Sequence, residues 1–480
     1  MTLRQALLAC VLAATPAAAQ PALEALVRDG LAQNPSLRQL EALEVAAVSE
    51  VRTARGAYGP ALGVEARGTA ARGGRSIDLP LGDLLNPVYG ALDALRADQG
   101  LQSAFPRIAN ESIPIVRSEG DVRFTVEQPV FAPTIGRGVS AARAQAGAAE
   151  ALRRAYEWEL EGAIRAAYWR LQGAERGVAV QAAAAERVAE FRRVAERQRE
   201  AGSGLRVAIV RASAEALAVE EARREAERAR SLARADLNRL LGRDLDAPVP
   251  ILPESEVPMP ISLPNRALRV VTPGAPTRAF SLDALQAAAA TGRAELAALD
   301  ASIEARDAAV AAIRSGRLPT LGLRLDAGTT GFDARLDEPF LLASAVVRWR
   351  PFGAPGDRGR IARASAERRA AKAEREAAED RIRLQVQEAY ERLGVAYASL
   401  RTSAQRVALG EEAFRLTTRL VALGEANQAD FIDAQTSLTT AALGRTAARF
   451  AVLARLAELE SATGLDLALD LTPGTVADAR

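Results

Sequence analysis

The chain has 480 residues and a formal net charge of +2, with 62 basic residues set against 60 acidic ones. That balance offers no bulk attraction to nucleic acid, and no basic patch interleaved with aromatics is present, so a nucleic-acid partner is excluded. Histidine is absent and Cys10 is the one cysteine, which removes the commonest general base, the commonest metal ligand and thiol chemistry.

Residues 1–19 read as a secretory signal peptide. Arg4 supplies a short positive start, Ala6–Ala14 an apolar core, and Ala17-Ala18-Ala19 an A-x-A cleavage pattern, so the mature chain is expected to start near Gln20. A lipoprotein box at Leu7-Leu8-Ala9-Cys10 is the rival reading, but it leaves too short an apolar core. No later stretch is apolar for the ~18 residues that a membrane helix needs, so any membrane crossing must use strands.

From Ala22 to Gly56 the pattern predicts two helices broken at Gln33-Asn34-Pro35, with a stop at Tyr58-Gly59-Pro60. The layout recurs 259 residues later (282 minus 23): Leu23-Glu24-Ala25-Leu26 matches Leu282-Asp283-Ala284-Leu285, and Pro60-Ala61-Leu62 matches Pro319-Thr320-Leu321. The chain is internally duplicated.

After each stop, apolar and polar residues alternate. Strands are predicted over 61–70 and 121–130 in the first half, and over 320–328 and 343–350 in the second. About nine residues of period-two pattern suit a tilted strand crossing a bilayer, although a half-buried sheet in a soluble protein shows the same alternation. The alternate face carries Glu65, Arg67, Arg123, Glu127, Arg324, Asp326 and Arg348, which suits a wet barrel lumen. Tyr58, Phe131, Trp349 and Phe352 cluster where strands meet helices, as an aromatic belt at an outer-membrane lipid interface would. A long insert, about 71–120, separates the first strand pair, and a shorter one near Gly328–Leu342 separates the second. Both are expected to face the exterior.

Long Ala/Arg/Glu-rich helices follow, at about 139–200 with 207–241 and at about 358–423 with 428–463, packed as coiled-coil-like hairpins. Each hairpin turns at a glycine, Gly202 or Gly424, 222 residues apart (424 minus 202). The predicted organisation is a first repeat at 20–246, a linker at 247–279 holding eight prolines, a second repeat at 280–465 and a tail at 466–480. The fold class is mostly α with a membrane β-barrel. Four strands cannot close in lipid, whereas two copies would supply eight strands with a filled interior and three would supply twelve with a pore.

With these residues in place the chain resembles the TolC-like outer-membrane efflux protein family. The resemblance is carried by the duplicated helix–Pro–strand units, by Gln128-Pro129-Val130-Phe131 with Arg350-Pro351-Phe352-Gly353, by the glycine tips, and by Gly424 followed by Asp430-Phe431-Ile432-Asp433-Ala434. It implies a homotrimer with a twelve-stranded barrel and an α-helical periplasmic tunnel in a Gram-negative outer membrane. It also implies docking to a periplasmic adaptor and an inner-membrane transporter, with export of small molecules or polypeptide. Carried over from the family, Asp430 and Asp433 form an acidic ring at the tunnel entrance, and Gly202, Leu205, Arg206 and Gly424 are adaptor-docking tips. Spacing of three puts both carboxylates on one helical face. The first-half position matching Asp430 is Ala208, so only one hairpin supplies acid.

A periplasmic coiled-coil spacer or adaptor is the competing class, but it would usually carry one hairpin between β domains. No enzyme or cofactor site is apparent, since no carboxylate pair sits beside a candidate nucleophile or a Gly-rich phosphate loop.

Overall fold

The computed structural model describes residues 19–115, 118–202, 206–257, 268–270, 278–332, 336, 338–352, 356–423 and 425–465. In chain order the elements are α1 (Ala19–Gln33), α2 (Pro35–Gly56), β1 (Ala61–Thr69), β2 (Ser76–Leu79), α3 (Leu81–Asp98), β3 (Glu111–Pro114), β4 (Glu119–Phe131), α4 (Pro133–Glu200) and α5 (Arg206–Leu241). The second half holds β5 (Leu268–Val270), β6 (Arg278–Phe280), α6 (Leu282–Gly292), α7 (Ala294–Ser315), β7 (Thr320–Phe332), β8 (Glu338–Arg348), α8 (Asp357–Leu423) and α9 (Gln428–Thr463). Two compact units result, one from residues 1–49, 142–307 and 365–480, the other from 50–141 and 308–364. Each takes a piece of both halves, so the spatial division cuts across the linear duplication.

The first unit is helical. Asn34 stands at the break before Pro35, and its Oδ1 accepts from the Ser36 and Leu37 amides at 2.9 and 3.1 Å, capping α2. Its Nδ2 donates to the Leu240 carbonyl at 2.9 Å, tying the break to the end of α5. Arg293 occupies the matching position (293 minus 34 is 259). There a guanidinium donates to the Ser461 carbonyl at 2.6 Å, so the second copy fills the same place with a different side chain.

Both copies end on the same device. Gly242 after α5 has φ +69° and Gly464 after α9 has φ +72°, the left-handed closure that glycine allows. Each packs against its own helix break, Gly242 on Gln33 and Asn34, Gly464 on Gly292 and Arg293.

Alanine, arginine and glutamate favour the long helices intrinsically, and i,i+4 pairs such as Arg165–Glu161 and Arg375–Glu379, both at 2.7 Å, add to them. At 68 residues α4 runs ~102 Å, but alanine seams bury little area per residue. The large buried side chains gather in two cores that share α9. Phe450 and Leu453 pack with Leu23, Ile164, Tyr168 and Leu237. On the other side of α9, Val452, Leu456 and Leu459 pack with Leu285, Ile382, Val386 and Leu393.

The start of the Pro-rich segment departs from the extended linker expected of it. Leu252 and Val257 are buried in the first core. Gln172, fully buried on α4, donates to the Pro250 carbonyl and accepts from the Leu252 amide, both at 3.1 Å. The segment turns through a short 3-10 helix at Glu254–Glu256, and the two apolar side chains on either side of it pin it down. The remainder of the linker at 258–267 and 271–277, the leader at 1–18 and the tail at 466–480 lie outside the described residues.

The second unit is built on a four-stranded antiparallel sheet of order β1-β4-β7-β8, in which the two halves meet at β4 and β7. Two findings differ from the sequence reading. Near Gly328–Leu342, where an insert is expected, residues 328–332 and 338–342 are ladder, with Gly328 opposite Phe340 and Thr330 opposite Glu338. Gly328 also lies opposite Arg123, so close that a Cβ there would sit 2.2 Å from the Val122 carbonyl oxygen. Within 71–120, β2 pairs with β3 and α3 lies between them. Helix α4 also begins earlier than its periodicity suggests, at Pro133, with proline in its first turn.

Candidate functional site

At the second tip, α8 ends at Leu423 and the amides of Glu425 and Ala426 return to the Leu420 carbonyl at 2.9 and 3.3 Å. Asn427 then caps α9, accepting from the Ala429 and Asp430 amides at 2.7 and 3.1 Å. The Asp430 carboxylate reciprocates by accepting from the Asn427 amide at 2.9 Å, which completes a capping box. Asp430 is therefore a structural cap as well as a candidate gate residue. Asp433 lies one turn on, and both carboxylates are exposed at a helix N-terminus, where the backbone dipole favours negative charge.

Between them Phe431 turns inward. Its ring stacks on Phe191 of α4 at 4.2 Å between centroids and 11° between planes, and Phe414 of α8 lies 5.3 Å away. Four residues on, buried Gln435 accepts from Arg187 Nε at 2.9 Å, and Thr436 donates to Glu215 of α5 at 3.1 Å. The first turns of α9 are thus fastened to both helices of the first hairpin, with the acids outside and the aromatic inside. Sequence reading missed both fastenings. The capping box was visible as Asn427-x-x-Asp430; the stack had no local signal.

At the first tip, Gly202 has φ +77°, and its amide bonds to the Arg199 carbonyl at 3.0 Å. Arg206 opens α5 and is exposed, as are Val207 and Val210. Leu205 and Gly424 lie outside the described residues.

In the second unit the ladder brings the charged strand residues onto one face. Glu65 lies opposite Arg123, Ala61 opposite Glu127, and Glu127 opposite Arg324, while Thr125 faces Asp326 across the two halves. Several of these charges share partners: Arg324 reaches Asp326 at 2.8 Å and Glu127 at 3.0 Å, and Asp121 receives both Arg67 at 3.7 Å and Arg123 at 3.3 Å. Asp326, only 5% exposed, also accepts from Thr125 at 2.8 Å. Asp121 completes this network and had not been singled out from the sequence. Arg348, opposite Thr320, shares the face by register.

The opposite face is apolar and bare. Leu62, Val64, Phe124, Leu323, Leu325, Leu341 and Val347 are all exposed, Leu62 to 78%. Tyr58, Phe131, Trp349 and Phe352 are exposed beside the strand ends that join the helices, Phe352 to 95%. Trp349 Nε1 donates to the Arg317 carbonyl at 3.2 Å, and Gln128 donates to the Tyr58 carbonyl at 2.7 Å. Among the described residues no helix is long and apolar enough to cross a membrane, and no group of three or more acids, histidines or cysteines is placed to hold a metal.

A sheet dry on one side and ion-paired on the other, joined to glycine-tipped helical hairpins, is the fold of outer-membrane channel proteins. It superposes on the outer-membrane channel OprN with TM-score 0.70 at 18% identity, over 93% of this chain and 91% of that one. CusC, described in terms of folding and transmembrane channel formation, matches with TM-score 0.71 at 14% identity over 93% and 92%. The open-state MtrE outer-membrane channel of Neisseria gonorrhoeae gives 0.69 at 18% over 94% and 91%. No curated protein matches in sequence. Residues 285–465 match the family described as outer membrane efflux protein.

Proposed function

We propose that the protein is the outer-membrane exit duct of a tripartite efflux or secretion system in a Gram-negative bacterium. It passively conducts small molecules or polypeptide handed on by an inner-membrane transporter through a periplasmic adaptor. The observation that carries this reading is the four-stranded sheet, with its exposed apolar face, its ion-paired polar face and its unpaired outer strands β1 and β8. Lipid accepts the first face, a water-filled lumen the second, and only further copies of the chain can satisfy the edges. Three copies give twelve strands, wide enough for a channel. The aromatic residues at the strand ends then sit at the periplasmic interface of the bilayer.

In this assembly the long helices form the periplasmic tunnel, and Asp430 with Asp433 contributes a ring of carboxylates at its entrance. Crowded carboxylates attract cations and disfavour anions at a narrow axis. Gly202, Leu205, Arg206 and Gly424 make up the tips that meet the adaptor. Residues 1–19 serve as the export signal, and 247–279 connects two repeats at 20–246 and 280–465.

A periplasmic adaptor or spacer also uses long hairpins. Against it stands the duplicated strand-to-strand arrangement, which leaves an apolar sheet face that a soluble protein has no reason to expose. Membrane fractionation followed by native mass measurement tests the choice. Recovery from the outer-membrane fraction as a three-copy assembly is expected, and recovery as a soluble monomer would overturn the duct.

A further inference from the structure

Where the sheet meets the helices, the second half carries an excess of positive charge that conduction alone does not require. Between Arg348 and Arg360 there are four arginines, at 348, 350, 358 and 360, and one acid, Asp357. Elsewhere the arginines on the polar strand face share carboxylates, as Arg67 and Arg123 do with Asp121. Here Asp357 is engaged by Arg360, and among the described residues the side chains of Arg348 and Arg350 have no carboxylate partner.

Both unpaired arginines line an open cavity of about 450 Å³, together with Leu318, Thr320 and the Asp357–Arg360 pair. Arg348 stands opposite Thr320, on the face that carries Arg324 and Asp326, so the cavity opens toward the polar side of the sheet. Trp349 between them is not part of its lining. Two residues apart, the arginine Cα atoms are at most about 7 Å from one another, near enough for both guanidinium forks to reach one small anion. Guanidinium keeps its charge at every working pH and matches phosphate oxygens in pairs, and uncompensated charge in a concave wall raises the local anion concentration.

We propose that this cavity is an anion subsite on the polar face, taking a phosphate-bearing solute between Arg348 and Arg350 with Arg360 at its rim. The proposal rests on the duct reading, in that the polar face must be wetted by transported solute. It gives the path a basic station distinct from the acidic residues at the helical tip.

Titration calorimetry of the detergent-purified full-length assembly with pyrophosphate tests the subsite directly. Saturable binding is expected, weakened about tenfold or more in R348Q/R350Q and less in R348K/R350K, which retains charge but loses the fork. Circular dichroism and assembly mass must match the wild type for both variants. In planar bilayers pyrophosphate should reduce the wild-type current and leave the R348Q/R350Q current nearly unchanged. Equal pyrophosphate affinity in wild type and R348Q/R350Q overturns the subsite, and so does an absence of binding by either. Retention of phosphatidylglycerol over phosphatidylcholine without pyrophosphate binding also overturns it and assigns the arginines to a lipid headgroup. Arginine-dependent binding in a protein that forms no conducting pore supports the subsite and overturns the duct instead.

Discussion

Replacing Phe431 by alanine tests how the acidic tip is held. The ring is buried, stacked on Phe191 at 4.2 Å and adjacent to Phe414 at 5.3 Å. Truncating such a side chain costs ~3–5 kcal/mol, of which about 0.5–1.5 belongs to the aromatic geometry rather than to area. The far end of α9 is held independently by two cores through Phe450, Leu453, Val452 and Leu459, so the loss should stay local. At about 1.4 kcal/mol per decade, a loss of 3 kcal/mol raises the local opening equilibrium roughly 100-fold. Hydrogen exchange should therefore accelerate by about that factor in peptides covering 428–436 while those covering 450–463 keep their protection. Phe431→Leu, which keeps apolar volume without a stack, should give a several-fold effect. Uniform acceleration along α9, or an unchanged tip, would refute the idea that this ring fastens the tip.

Asp430→Asn with Asp433→Asn should lower cation selectivity and relieve multivalent-cation block in planar bilayers; since Asp430 also caps α9, the single Asp433→Asn is the cleaner probe of charge. Gly242→Ala should lower thermal stability more than Gly464→Ala. Both positions carry the left-handed φ penalty of about 1–2 kcal/mol, but a Cβ at 242 would stand 2.5 Å from the Gln33 carbonyl oxygen, whereas at 464 the nearest atom is 3.4 Å away. Burial pushes the Tyr168 hydroxyl up to about 12, with a smaller contribution from Glu256, and burial alone does the same to Tyr397. The unfolded chain ionises first, so stability from these groups is complete below the ordinary value near 10 and falls as pH rises toward 12. Alkaline melting curves should show the decline, and Tyr168→Phe should flatten part of it.

Features governed by nearest neighbours in sequence were open to reading before any coordinates. Pro35 marks the helix break because proline removes an amide that a helix start does not need, and Val122-Arg123-Phe124-Thr125-Val126 alternates as a strand must. Features that depend on distant partners stayed hidden. Nothing near Phe431 announces Phe191, a contact that forms only when the repeats pack, and nothing near Leu252 announces Gln172, a contact that forms only when the linker lies back on α4. The helix α3 was concealed by Pro87 and Gly90, which interrupt its apolar period. The Gly328–Leu342 stretch looked like an insert because Gly328, Thr329, Thr330 and Gly331 weaken the alternation, yet their register simply continues that of β7 and β8. Of the site, the acids and the charged strand face were legible as residue types. Their fastening at the tip and their sharing of Asp121 required the fold.

The two outer strands have a consequence for how such a molecule can be made and inherited. Among the described residues, one row of backbone donors and acceptors on β1 and on β8 is left without a ladder partner in the sheet. On the duct reading proposed above, a solitary copy has no medium in which it is at rest, because water opposes its apolar face and lipid opposes its bare edges. Maturation becomes a race between meeting sister chains and sticking to unrelated strands, so yield should climb with local abundance. The three-copy ring proposed above also makes defects collective. In a ring of three, if half of the chains carried an edge-breaking substitution, about seven rings in eight would include at least one of them, and the allele would behave as dominant.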